Sequence, residues 1–268
     1  MKKKKKTVGL ALGSGGWLGL AHIGVIKAFL KHNIPIDYIS GASFGSLVGG
    51  LYLALGDINK LEDFITSIGY TDLIKSISDV FSAGGIIKGE KIVQFLEEKI
   101  GPAKIEDLKT PFCAVASDLK TGRYVEISKG DLYRAIRTSG SLPVIFEPVK
   151  MNNMVLIDGG ATNPVPVNVV KKMGADIAVG VSLYNGAFPI DDDLLDSNSS
   201  RVILQKTYDL HTYWLNLYCM KEADVSIKPN IKLESKKNMF EKFFRNREII
   251  DIGEKEAEKM IPKIKKML

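Results

Sequence analysis

The pentapeptide Gly41-Ala42-Ser43-Phe44-Gly45 constrains this chain more than any other stretch. Before it, the apolar run Ile36-Asp37-Tyr38-Ile39 reads as a buried strand; after it, Leu47 to Leu55 reads as a helix. A Gly-x-Ser-x-Gly on such a strand-to-helix turn is a nucleophile elbow. The turn strains the serine, Gly41 and Gly45 leave room for strand and helix to pack beneath it, and the hydroxyl projects above the sheet edge.

The 268 residues, 45% of them hydrophobic, are enough to bury one full core, and they fit one large α/β domain over residues 7–268 behind a basic tail at 1–6. Two cysteines far apart in sequence, Cys113 and Cys219, suggest a reducing, cytoplasmic setting and no disulfide framework. The net charge of +6 is unevenly spread: Lys2 to Lys6 supply five positive charges, and residues 228–268 hold twelve Lys or Arg against seven Asp or Glu, which leaves residues 7–227 at −4. Nothing in that middle interleaves arginines with aromatics as a nucleic-acid groove does, so no nucleic-acid partner is expected. The two basic ends read either as solvated segments or as a peripheral contact with an anionic membrane. Thr7 to Ile26 carries no formal charge, but six glycines and His22 interrupt it, which argues against a secretory signal and against a membrane span.

In chain order, Thr7 to Leu12 is a short buried strand, Gly13-Ser14-Gly15-Gly16 a loop, and the apolar residues from Leu18 to Leu30 a buried helix. A strand, a glycine loop and a helix N-terminus in that order make an anion site, because the first N–H groups of the helix have no partner within it. The dinucleotide fingerprint fails here, since the sixth position from Gly13 is Leu18, and no Gly-Lys-Ser or Gly-Lys-Thr is present for nucleotide phosphates. The loop is better read as an oxyanion hole. Residues 57–100 read as helical with a break at Gly84-Gly85, and Pro111 to Ser117 and Arg123 to Ile127 as a β hairpin. Met154 to Ile157 is a strand ending in Asp158-Gly159-Gly160, and Asn163-Pro164 reads as the cap and first residue of a helix from Val165 to Met173. Arg201 to Met220 is a long helix containing Trp214 and several tyrosines.

None of the three histidines suits a triad: His22 follows the glycine loop, His32 lies at a polar helix end, and His211 lies among bulky apolar residues. A serine nucleophile here needs a carboxylate as its base. Neither His-Glu-x-x-His nor Cys-x-x-Cys occurs, so no metal and no cofactor is expected.

The segments Leu10-Ala11-Leu12-Gly13-Ser14-Gly15-Gly16, Gly19 to Val25, Gly41 to Gly45, and Asp158-Gly159-Gly160 with Asn163-Pro164-Val165-Pro166 resemble the patatin-like phospholipases, in the family's order and spacing. The resemblance implies a three-layer α/β/α sandwich with a mostly parallel central sheet, and hydrolysis of lipid acyl esters by a serine-aspartate dyad. Carried onto this sequence, Ser43 is the nucleophile, Asp158 the base, and Gly13, Ser14, Gly15, Gly16 and Trp17 the oxyanion loop. The chain departs from the family pattern at Leu18, which stands with Trp17 where the family has a basic residue before Gly19.

Overall fold

The computed structural model describes residues 5–68, 87–143, 145–185, 200–231 and 246–268. The Gly84-Gly85 break and most of the basic tail lie outside the described residues. A parallel core sheet is laid down by β1 (Val8–Leu12), β2 (Tyr38–Ala42), β3 (Phe112–Asp118), β7 (Ile177–Val181) and β8 (Val225–Ile227). Three antiparallel additions complete it: β4 (Tyr124–Ile127) and β6 (Met154–Asp158), each paired with β3, and β5 (Val149–Met151), paired with β6. Apart from β4, the strand order is β5-β6-β3-β2-β1-β7-β8.

The period of two along β1 sorts the layers. Val8, Leu10 and Leu12 point into the main core, shared with α1 (Ala21–Lys31), α2 (Phe44–Leu55) and the C-terminal α8 (Asn246–Met267). Gly9 and Ala11 face the other side, against α6 (Val167–Met173). The result is an α/β/α sandwich with a mostly parallel sheet. Helices α3 (Ile58–Ser67), α4 (Glu90–Ile100) and α5 (Leu132–Ser139) join the first side, and α7 (Ser200–Cys219) leads into β8. Helices α1 and α8 cross in backbone contact: a Cβ at Gly24 would strike the Ile250 carbonyl, and one at Gly253 the Ala21 carbonyl. Much of the glycine in the uncharged N-terminal run thus serves close packing.

Two local readings change. Helix α6 begins at Val167 with Pro166 as its cap, and Asn163 instead bonds Asn168 through its side chain, because the Pro164 carbonyl is engaged by the backbone of the glycine loop. Strand β5 carries no sequence signal beyond its turn: Asn152 and Asn153, at φ 47° and 63°, form the tight hairpin that reverses the chain into β6.

Candidate active site

Ser43 is the N-cap of α2 and sits at φ 54°, ψ −123°, a conformation that costs a non-glycine residue about 1–3 kcal/mol. Its surroundings hold it there. The Ser43 N–H donates to Ser139 Oγ at 2.9 Å, and that hydroxyl donates in turn to the Val115 carbonyl at 2.6 Å. The Ser43 carbonyl accepts from the N–H groups of Ser46 and Leu47 and from Ser46 Oγ at 2.6 Å. The glycines are required by contact: a Cβ at Gly41 would stand 2.5 Å from Ser46 Cα, and one at Gly45 would enter the Leu12 carbonyl. The elbow is therefore braced by β1, β3 and α5, and the Ser43 side chain is left half-buried at the sheet's upper edge.

Asp158 reaches the same edge by a route that differs from the usual one. In a parallel sheet the carboxyl ends of the strands line the site, but β6 runs antiparallel to β3 and enters from above. It stops with Asp158 opposite Ala116, one residue beyond the level at which Val115 pairs with Ala42. The descent is set by the β5–β6 hairpin, and its end is fixed by the Asp158 N–H on the Ser141 carbonyl and by Ser117 Oγ on the Asp158 carbonyl at 2.8 Å. Gly159 lies against the Val115 carbonyl, where no Cβ fits.

The Asp158 carboxylate is 2% exposed. Its Oδ1 accepts from the Gly160 N–H at 2.7 Å, while Oδ2 has no partner at full hydrogen-bonding geometry among the described residues. Burial pushes the carboxyl up from 3.8 to about 6, with the nearby Ser43 hydroxyl and the Gly160 N–H pulling the other way. The Ser43 hydroxyl is thus near enough to favour the charge on Asp158, although the pair is not closed into a tight bond. A carboxylate tuned to about 6 is ionised at neutral pH and far more basic than an exposed one.

The glycine loop narrows to fewer donors than its five residues suggest. The Gly13 N–H is spent on the Val181 carbonyl at 3.0 Å and the Ser14 N–H on the Pro164 carbonyl at 2.8 Å, so neither can meet a ligand. Both bonds are the fastening of the loop to the sheet and to the segment after Asp158. The N–H groups of Gly15 and Gly16 carry no hydrogen bond among the described residues. Gly16 has φ 54° and open space around its Cα, so its requirement is conformational. Trp17 and Leu18 pack on the main core, and Trp17 meets the Phe44 ring edge-on at 5.9 Å, setting the loop beside the elbow.

His22 is fully buried and donates through Nε2 to the Gly13 carbonyl at 2.8 Å. A carbonyl only accepts, so Nε2 carries the proton. Burial drives its pKa down from 6.5 to about 4, and the neutral ring is a tether for the loop. Ser139 holds the elbow from 96 residues away and His22 holds the loop from nine residues on, contacts that no local pattern marks; Tyr184 and Tyr208 also stand near Asp158. Burial raises both phenols, the charges of Asp209 and Asp158 raise both further, and both share hydrogen bonding with Thr212.

The pattern described as patatin-like phospholipase matches residues 10–171, which contain the elbow, the loop and Asp158. The chain belongs to the patatin-like phospholipase family. It is 38% identical over 180 residues to an uncharacterised NTE family protein of Mycobacterium bovis, a stretch covering 67% of this chain and 49% of that protein. It is 31% identical over 193 residues to the lysophospholipase NTE1 of Candida albicans, covering 69% of this chain and 14% of that one. The chain thus matches about half the length, or less, of these patatin-like relatives. The crystal structure of VipD from Legionella pneumophila superposes with a TM-score of 0.54 at 14% identity, over 97% of this chain and 67% of that chain, a likeness of fold.

Proposed function

We propose that this patatin-like chain is a serine hydrolase of lipid acyl esters. The observation that carries the reading is the buried Asp158 carboxylate, raised to about 6, with one oxygen unpartnered beside the strained Ser43. Asp158 takes the Ser43 proton as Oγ attacks the acyl carbonyl; the N–H groups of Gly15 and Gly16 stabilise the oxyanion, each donor being worth roughly 10²- to 10³-fold in rate. Asp158 then protonates the departing alcohol. Water, deprotonated by the same carboxylate, attacks the acyl-serine, the bond to Oγ breaks, and the proton returns to Ser43. The relatives' printed names, one of them a lysophospholipase, support lysophospholipid, phospholipid or neutral acyl esters as the substrate class.

A serine-directed phosphonate is expected to label Ser43. Ser43→Ala, Asp158→Asn and the double variant are expected to be about equally inactive on a short-chain nitrophenyl ester, since residues acting as one unit lose activity non-additively. Near-normal turnover in Asp158→Asn would remove the dyad. Absence of labelling in the folded wild type would favour a lipid-binding protein without turnover, the reading that Leu18, in place of a basic residue, supports.

A further inference from the structure

Helix α7 buries polar side chains and exposes several large apolar ones. At about 3.6 residues per turn, Tyr208, Thr212 and Asn216 share one face. That face is turned inward: Thr212 is 2% and Asn216 1% exposed, and both side-chain polar atoms of Asn216 lack a hydrogen-bond partner among the described residues. Its neighbours are the groups around Asp158, since Tyr208 and Tyr184 both feel that carboxylate and both meet Thr212. The opposite face carries Ile203, Leu210, Trp214 and Tyr218, with Thr207 and His211 among them, all exposed, Trp214 at 63% and Tyr218 at 66%. A helix on a protein in water has the reverse arrangement.

We infer that the outer face of α7 is the surface by which the protein docks on a phospholipid bilayer, with the Asp158 side of the site directly behind it. The inference rests on the acyl-ester reading of that site for its purpose, and on α7 for its chemistry. Large aliphatic side chains with a tryptophan and a tyrosine suit the boundary between headgroups and acyl chains, where one end of each aromatic ring is apolar and the other meets water. The rim is close to neutral, Lys206 and Lys221 against Asp209 and Glu222, which suits a zwitterionic headgroup layer. Lys221 continues the stripe past the helix end with its ammonium 6.0 Å from the Tyr218 ring, and Lys206 flanks it, while Asp209 is turned to Lys206 at 3.4 Å. A lysine placed like Lys221 lays its stem along the apolar face and carries its head toward the phosphates. A docked α7 would bring the site to the bilayer without any spanning segment; among the described residues no helix is long and apolar enough to cross a membrane.

The test uses the full chain and phosphatidylcholine vesicles. With Trp17→Phe leaving Trp214 as the only tryptophan of the two, its emission is expected to shift to the blue on adding vesicles and to be quenched by lipids brominated along the acyl chain. A Trp214→Ser, Tyr218→Ser double variant is expected to lose vesicle partitioning by at least about tenfold. Its kcat/KM on a soluble short-chain ester should stay within about twofold of wild type, and Trp214→Phe with Tyr218→Phe should restore binding. Binding through this face should change little with salt, in contrast to attachment through the basic ends. Unchanged emission together with undiminished partitioning of the serine double variant would overturn the inference. So would a wild-type dimer that this double variant dissolves, because a second copy would then cover the face. Absence of soluble-ester turnover in a wild type that still partitions through Trp214 would sink the hydrolase reading and leave the docking surface standing.

Discussion

Asp158→Asn offers the most direct quantitative test, because Asp158 and His22 titrate in opposite directions within one fold. Burial raises Asp158 from 3.8 to about 6, and each unit corresponds to about 1.4 kcal/mol. The native state holds that proton more tightly than the unfolded chain, so the contribution to stability is full below pH 3.8 and is lost as pH rises through about 6, a cost of about 3 kcal/mol. His22 runs the other way. Its pKa falls from 6.5 to about 4, the unfolded chain binds the extra proton in that window, and stability rises with pH by about 3 kcal/mol. In the wild type the two slopes nearly cancel. Asp158→Asn removes one, so the variant should gain stability steadily between pH 4 and 6.5 and exceed the wild type above pH 6, by up to about 3 kcal/mol less whatever the amide loses in contacts. Urea unfolding of both proteins across that range measures the difference. Wild-type kcat/KM on a soluble ester should fall about tenfold one unit below the Asp158 pKa. That limb should survive when His32 and His211 are both replaced by glutamine. Parallel stability curves for wild type and variant, or an activity limb near pH 4, would refute the account of Asp158 as a buried base.

Ser139→Ala removes both the acceptor for the Ser43 N–H and the donor to the Val115 carbonyl. It should cost about 1–3 kcal/mol of stability and lower kcat on a soluble ester about tenfold or more with little change in KM, with Ser139→Thr recovering part of the kcat. Leu18 adds apolar surface beside Trp17 where an arginine would bring a fixed charge and a fork of donors. Leu18→Arg should shift the ratio of kcat/KM values for phospholipid over neutral ester by about tenfold, and an unchanged ratio would show that position 18 does not read the headgroup.

Several features follow from the sequence alone because their causes are local. The φ 54° turn at Ser43 follows from a strand and a helix forced to meet over Gly41 and Gly45, and the uncharged run from Thr7 to Leu12 already marks β1 as a buried strand. The Asp158-Gly159-Gly160 signal likewise marks a strand end that places a carboxylate. What lies beyond the sequence depends on which distant segments share a neighbour. Only the tertiary structure assigns the N–H groups of Gly13 and Ser14 to the Val181 and Pro164 carbonyls, leaving Gly15 and Gly16, because a backbone donor looks the same in sequence whether it is spent or free. The antiparallel descent of β6, the Ser139 cap on Ser43 and the neutrality of His22 are settled in the same way, since burial and electrostatic environment are sums over residues about a hundred positions apart. For α7 the apolar residues are plain in the sequence, but their helical spacing is the same for a stripe that faces the core and for one that faces outward. Packing decided it, by turning Thr212 and Asn216 toward the site and leaving Trp214 and Tyr218 outside.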